Sequence, residues 1–62
     1  ERRVEIGAYA KIGAGAILSE GVRVGDRARV VAGSVVARQT EIGEREIWGG
    51  SPAQRMRSTV AT

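Results

Sequence analysis

The sequence has no cysteine, no histidine and no phenylalanine, and it contains a single proline. Without cysteine there is neither a disulfide nor a cysteine-based zinc site, which are the usual means of stabilising a small domain. Without histidine the chain also lacks the commonest general base and the commonest metal ligand. Its 62 residues form one small domain at most. We therefore expect stability to come from oligomerisation or from further residues of a longer chain.

Further classes of protein are excluded by what is missing. No run approaches the roughly 18 consecutive apolar residues of a membrane span, and residues 1–4 show no signal-peptide character. The net charge of +3 is modest, and one tryptophan with one tyrosine cannot form a stacking surface for single-stranded nucleic acid. We predict a cytoplasmic protein with no membrane span, no nucleic-acid partner and no bound metal.

What the sequence does contain is a repeat, because an apolar residue recurs at every sixth position. The column consists of Ile6, Ile12, Leu18, Val24, Val30, Val36, Ile42 and Trp48. The next residue is small in most repeats, and Gly15, Gly21 and Gly33 lie three positions after the column, where a tight corner favours positive φ. An α-helix would need a period near 3.6 and would not tolerate this density of glycine.

The period of six predicts a coil of short strands with three sides to a turn. Three sides of six residues give about 18 residues per coil, so residues 18 apart should stack at the strand spacing of about 4.8 Å. Opposite charges facing each other across a ladder favour this register. Two such columns occur, namely Glu5, Arg23, Glu41 and Arg2, Glu20, Arg38. Two others carry like charges, Asp26 over Glu44 and Arg27 over Arg45, and we expect these to pair laterally.

The repeat resembles that of the hexapeptide-repeat proteins. Their signature is an aliphatic residue, a small residue, two variable positions and then Ala, Ser, Thr or Val, which residues 6–11 (IGAYAK) and 12–17 (IGAGAI) match directly. The resemblance implies an all-β fold, a left-handed parallel β-helix with about 2.5 to 3 coils over residues 1–53 and a C-terminal tail at 54–62. Trp48 is expected to cover the end of the last coil and Pro52 to end the ladder.

A second resemblance concerns the closing segment. Residues 31–36 (VAGSVV) and 47–57 (IWGGSPAQRMR) are similar to the last coil and exit loop of the family's acyltransferases. Those enzymes are trimers that bind an acyl-CoA thioester between neighbouring subunits, so the resemblance implies a homotrimer with acetyl-CoA or another acyl-CoA as co-substrate. The implied contact residues are Ala32, Gly33 and Ser34 for the pantetheine arm, Gly50, Ser51, Pro52 and Ala53 at the exit loop, and Arg38, Arg55 and Arg57 for the phosphates.

One departure from the family is severe. Its acetyl transfer generally uses a histidine to deprotonate the acceptor, and no family motif puts Asp26, Glu41, Glu44 or Glu46 in that role. We therefore assign no catalytic residue and do not expect this chain alone to be active.

Three interpretations remain open. In the first, the chain is the C-terminal β-helix segment of a longer acyltransferase for O- or N-acyl transfer, with trimer contacts and part of an acyl-CoA site. In the second, it is an inert β-helix scaffold or oligomerisation module, natural in a larger multidomain enzyme or engineered as a minimal solenoid. In the third, it is a fragment of a γ-class carbonic anhydrase-like protein.

Overall fold

The computed structural model describes residues 2–58, and within this range it consists of nine strands and the corners between them. The strands are β1 Glu5–Ile6, β2 Lys11–Ile12, β3 Ile17–Leu18, β4 Arg23–Val24, β5 Arg29–Val30, β6 Val35–Val36, β7 Glu41–Ile42, β8 Glu46–Gly50 and β9 Ala53–Ser58. The first seven are two residues long and begin every six residues, so the predicted strand-and-corner repeat is confirmed. No helix of the described residues is long and apolar enough to cross a lipid bilayer.

Strands β1 to β8 form the three faces of a triangular prism, and the strands within each face run parallel. The first face contains β1, β4 and β7, the second β2, β5 and β8, and the third β3 and β6. Ile6 pairs with Val24 and Val24 with Ile42, so partners lie 18 residues apart as the sequence predicts. Because each side holds one strand of each coil, every coil can bury its inner side chains only against its neighbours.

The six-residue column fills the inside of the prism. Val30 and Val36 are fully buried, and Val24 and Ile42 are nearly so. Full burial of an aliphatic side chain contributes about 1.5–3 kcal/mol to stability. Ile6, which belongs to the same column in the first coil, is 51% exposed because no coil covers it on that side. The open first coil therefore leaves apolar surface exposed.

Each corner contains one residue with positive φ, again at every sixth position. The series is Tyr9, Gly15, Gly21, Arg27, Gly33, Gln39 and Arg45, with φ between 61° and 76°. The sequence predicts this conformation for the three glycines, whereas the other four residues adopt it at a cost of about 1 kcal/mol each. Main-chain hydrogen bonds join successive corners, for example from Arg27 N to the Ala8 carbonyl at 2.8 Å.

The charged columns behave in two ways. Arg23 lies between Glu5 and Glu41, with N–O distances of 3.6 Å and 3.9 Å, as its alternating column predicts. In the like-charged columns, Asp26 and Arg27 contact the coil before them. The Asp26 carboxylate accepts a hydrogen bond from Ala8 N at 2.9 Å, and the Arg27 guanidinium lies 5.1 Å from the centre of the Tyr9 ring.

After the last coil the chain turns back along the second face. Ser51 and Pro52, joined by a cis peptide bond, form a turn after which β9 runs antiparallel to β8, with Trp48 opposite Arg55. Pro52 ends the parallel ladder, and the residues after it form the antiparallel strand β9. Because Pro52 lies in a turn, the strand ladder does not need the hydrogen bond that its missing N–H would have donated. Residues 59–62 of the predicted tail lie outside the described residues.

Trp48 closes the last coil, as the sequence predicts. It continues the column of Ile12 and Val30 and packs against the core. Its position leaves the indole N–H at the end of the prism, where it needs an acceptor.

Candidate functional site

The structure brings together two of the three groups of predicted contact residues. Ala32, Gly33 and Ser34 form the corner between the second and third faces, and the exit turn from Gly50 to Ala53 lies above it. Ser34 joins them, because its hydroxyl accepts a hydrogen bond from Gly50 N at 3.3 Å and donates to the Val31 carbonyl at 2.6 Å. Ser34 is buried and acts as a connector, whereas Ala32 and Gly33 are exposed.

The corner at Ala32 differs from the one directly before it in the same column. The Ala14 carbonyl accepts a hydrogen bond from Gly33 N of the following coil at 3.0 Å. Within the described residues, the Ala32 carbonyl accepts no such bond, because the chain leaves the coil at Gly50. An exposed carbonyl of this kind is a ready acceptor for a ligand that carries N–H groups.

At this corner the main chain is uncovered at Gly15 and Gly33, which have no side chains. A β-carbon added at Gly15 or Gly33 would meet no atom within 4 Å. Beside the corner runs an open groove of about 320 Å³, whose lining includes Gly13, Val31 and Ala32 and also the two cations Lys11 and Arg29. A narrow chain with a charged end would thus find small residues on one side and positive charge on the other.

The three predicted phosphate-binding arginines do not all lie on one element, since Arg55 and Arg57 belong to β9 and Arg38 does not. Arg38 is at the corner after the third face, where it turns the chain with Gln39. Arg55 Nη1 lies 3.7 Å from the Glu46 carboxylate. Arg57 stands opposite Ile47 and lines a different groove, which also contains Arg27 and Arg29.

Glu46 occupies a position that earlier coils fill with small or β-branched residues. Its Oε1 accepts hydrogen bonds from the Trp48 indole N–H at 2.9 Å and from Gly43 N at 2.8 Å. These two bonds, followed by the neighbouring Arg55 guanidinium, lower the pKa of the Glu46 carboxyl below its ordinary value. This role of Glu46 was not predicted from the sequence, although Glu46 visibly breaks the column of small residues.

We expect Glu46→Ala to destabilise the chain by about 2 kcal/mol and Glu46→Gln by about 1 kcal/mol. Alanine leaves both donors without an acceptor, whereas glutamine keeps an oxygen but loses the charge. Because the folded-state pKa is lowered, the carboxylate stabilises the fold above the unfolded-state pKa, and this stabilisation is lost as pH falls through the folded-state value. Urea unfolding of the wild type and both variants across the acidic range measures each effect.

The exposed Glu44 provides the control, since Glu44→Gln should change the stability by no more than about 0.5 kcal/mol. If Glu46→Gln kept the acid dependence of the wild type, Glu46 would not be its source.

The acidic residues of the structure do not form a metal site. Within residues 2–58 no group of three or more His, Cys, Asp or Glu side chains could hold an ion. Asp26 is bonded to Ala8 N and Glu41 to Arg23, so both hold structural contacts. A lowered pKa makes Glu46 a weak proton acceptor.

Comparison with known sequences decides the family. The model of the family described as bacterial transferase hexapeptide (six repeats) matches residues 3–38, more than half of the chain. The chain belongs to this family. A search of the curated proteins finds no match.

Solved structures of hexapeptide-repeat acetyltransferases have the same fold. Serine acetyltransferase from Neisseria gonorrhoeae is 31% identical with a TM-score of 0.87, over 98% of this chain and 23% of that one. Maltose O-acetyltransferase from Clostridium difficile is 31% identical with a TM-score of 0.84, over 94% and 30%. A Vibrio cholerae hexapeptide-repeat acetyltransferase complexed with acetyl coenzyme A is 30% identical with a TM-score of 0.89, over 97% and 32%.

These similarities establish the fold and show how much of each relative the chain covers. The left-handed parallel β-helix implied by the sequence is confirmed. The hexapeptide-repeat chain spans only 23% to 32% of the length of these three proteins.

Proposed function

We propose that these coils are the C-terminal β-helix segment of an acyltransferase and form part of its acyl-CoA site. The observation that carries the proposal is the Ala32 carbonyl, which lacks a partner in the next coil and lies beside an open groove of small residues. The Vibrio cholerae relative, of similar sequence over 97% of this chain, binds acetyl-CoA and supports the same co-substrate class here.

The chemistry of the co-substrate fits this corner. The pantetheine arm of CoA is a narrow chain with two amides, which can donate N–H groups to an exposed main-chain carbonyl such as that of Ala32. Gly33 and Gly50 let such a chain approach the backbone closely. Lys11 and Arg29 on the other side of the groove would meet phosphate oxygens at the far end of the ligand.

The outer surface of the third face suits contact with another subunit of a trimer. Its outward residue Ile17 is 58% exposed, and its partner Val35 is also aliphatic. The first face presents Glu5, Arg23 and Glu41 at the corresponding positions. An aliphatic face among charged ones favours burial against a protein surface. We place the subunit contact there, with the acyl-CoA at the neighbouring corner.

In this proposal, the segment binds and positions the thioester, and a hydroxyl or amine of the acceptor attacks its carbonyl carbon. The new ester or amide bond forms as the C–S bond breaks, and CoA leaves as its thiolate, which takes up a proton. The acceptor must lose a proton to a base as it attacks. The sequence has no histidine, and Asp26, Glu41 and Glu46 are held in structural contacts. In this proposal, the base is supplied by residues outside these 62.

The proposal is tested by titration calorimetry with acetyl-CoA on the wild type and on Ala32→Trp. Ala32 is exposed, so the indole would fill the groove without entering the core. We expect the affinity for acetyl-CoA to fall at least about tenfold, because the main-chain carbonyl is covered and the groove is blocked.

The matched control is Ala8→Trp, which changes the same turn position at a different corner and should bind acetyl-CoA like the wild type. Equal binding by wild type and Ala32→Trp would contradict the proposal. No binding by the wild type would favour an inert scaffold.

A further inference from the structure

We infer that a second groove, on the edge between the first and second faces, is a binding site for a polyphosphate group. We call it the basic groove, and its walls are formed by Tyr9, Lys11, Arg27, Arg29, Arg45 and Arg57. It has a volume of about 440 Å³, does not include Ala32 or Gly33, and shares Lys11 and Arg29 with the groove beside them. The inference does not rest on the proposed acyl-CoA site.

Positive charge is concentrated along the basic groove. Five of the ten basic residues of the chain line the basic groove, and none of the acidic residues among positions 2–58 does so. The net charge of the whole chain is only +3, so positive charge is concentrated here and the rest of the molecule is net negative. A concave surface with charge of one sign focuses its field on ligands of the opposite sign.

The edge beside the basic groove carries large side chains at its corners. Tyr9, Arg27 and Arg45 occupy equivalent corner positions of successive coils, all with φ near 61°. The corner between the second and third faces uses glycine at these positions, in Gly15 and Gly33. Large side chains therefore stand in a backbone conformation that glycine would adopt without strain.

An apolar residue, Ile47, also lines the basic groove. On the second face, Lys11 pairs with Arg29 and Arg29 pairs with Ile47, so the three residues form one outward column. Ile47 is nevertheless only 8% exposed. Long basic side chains lie along such an apolar residue with their stems while their charged heads stay at the surface. The Arg27 guanidinium is fixed further by the Tyr9 ring, 5.1 Å away.

These features select the ligand chemistry. Guanidinium groups bind phosphate oxygens through paired hydrogen bonds, and several of them in a row match several linked phosphates better than a single carboxylate. Such a group could be part of a free polyphosphate or nucleotide, or it could be the phosphate end of an acyl-CoA. The basic groove would accept either source through the same contacts.

The test is calorimetric titration of the protein with sodium tripolyphosphate. We expect saturable binding at one site per chain, weakened by added salt because the contacts are ionic. Arg27→Gln and Arg57→Gln should each reduce the affinity about tenfold, since each removes a charge-assisted contact. Arg2→Gln, which changes an exposed arginine outside the basic groove, is the matched control and should bind like the wild type.

Competition with acetyl-CoA identifies the source of the phosphates. If acetyl-CoA displaces tripolyphosphate, the basic groove holds the phosphate end of the co-substrate; if both bind together, it takes a separate polyphosphate ligand. Ala32→Trp should not change tripolyphosphate binding, so failure of the acyl-CoA proposal would remain distinguishable. Absence of saturable binding, or an equal loss of affinity in Arg2→Gln, would overturn the inference.

Discussion

Val30→Asp should leave the chain largely unfolded. Val30 is fully buried at the centre of the prism, between Ile12 of the coil before and Trp48 of the coil after. A carboxylate there would have no partner, and burying such a group costs about 4 kcal/mol or more. This is a large part of the stability of any small domain. Circular dichroism would show loss of the strand signal, and urea unfolding would show no cooperative transition.

Arg29→Asp is the control for this prediction, because Arg29 precedes Val30 on the same two-residue strand but points outward. We expect its stability to remain within about 0.5 kcal/mol of the wild type. If the two variants were equally stable, the assignment of inner and outer columns would be wrong.

Gly13→Ala should destabilise the chain by about 3 kcal/mol, although only one methyl group is added. A β-carbon at Gly13 would lie 2.3 Å from Ala32 N and 2.6 Å from Ala32 Cα in the next coil. Main-chain atoms cannot rotate away as a flexible side chain can, so the two coils must separate and lose packing around the new methyl. Thermal and urea unfolding measure the loss directly.

Gly15→Ala tests whether the cause is contact between coils. Gly15 lies two residues later at a corner with φ of 74°, and a β-carbon there meets no atom within 4 Å. The cost should therefore be only the backbone strain of about 1 kcal/mol. A larger loss in Gly15→Ala than in Gly13→Ala would contradict the stacking of residues 13 and 32.

The repeating part of the fold is predictable from the sequence because one rule is applied in every coil. Each inner position must be apolar, each corner must turn tightly, and a residue must suit its neighbours 18 positions away. Ile6, Val24 and Ile42 follow that rule at intervals of 18 residues, so the strands and their register can be predicted from the sequence. The residues with positive φ are recognisable only where they are glycine; Tyr9 and Arg27 obey the same rule without showing it.

The segment after the last coil is not predictable in the same way. The pairing of β9 with β8 depends on contacts specific to this end of the molecule, such as the bond from the Trp48 indole to Glu46 and the approach of Arg55. None of these has a period that reading the sequence could detect. Resemblance to the family locates the corner of the candidate site, but the exposed carbonyl of Ala32 emerges only when the hydrogen bonds are traced coil by coil.

The proposed acyl-CoA site lies at the corner of Ala32 and Gly33 and at the exit turn. The most direct measurement is a two-dimensional NMR titration of the 15N-labelled protein with acetyl-CoA, followed amide by amide. We predict the largest shifts at Gly33, whose amide adjoins the Ala32 carbonyl, and at Gly50 and Ser51. Shifts that were absent, or centred on Gly21 and Arg38 at the corner after the third face, would contradict this site.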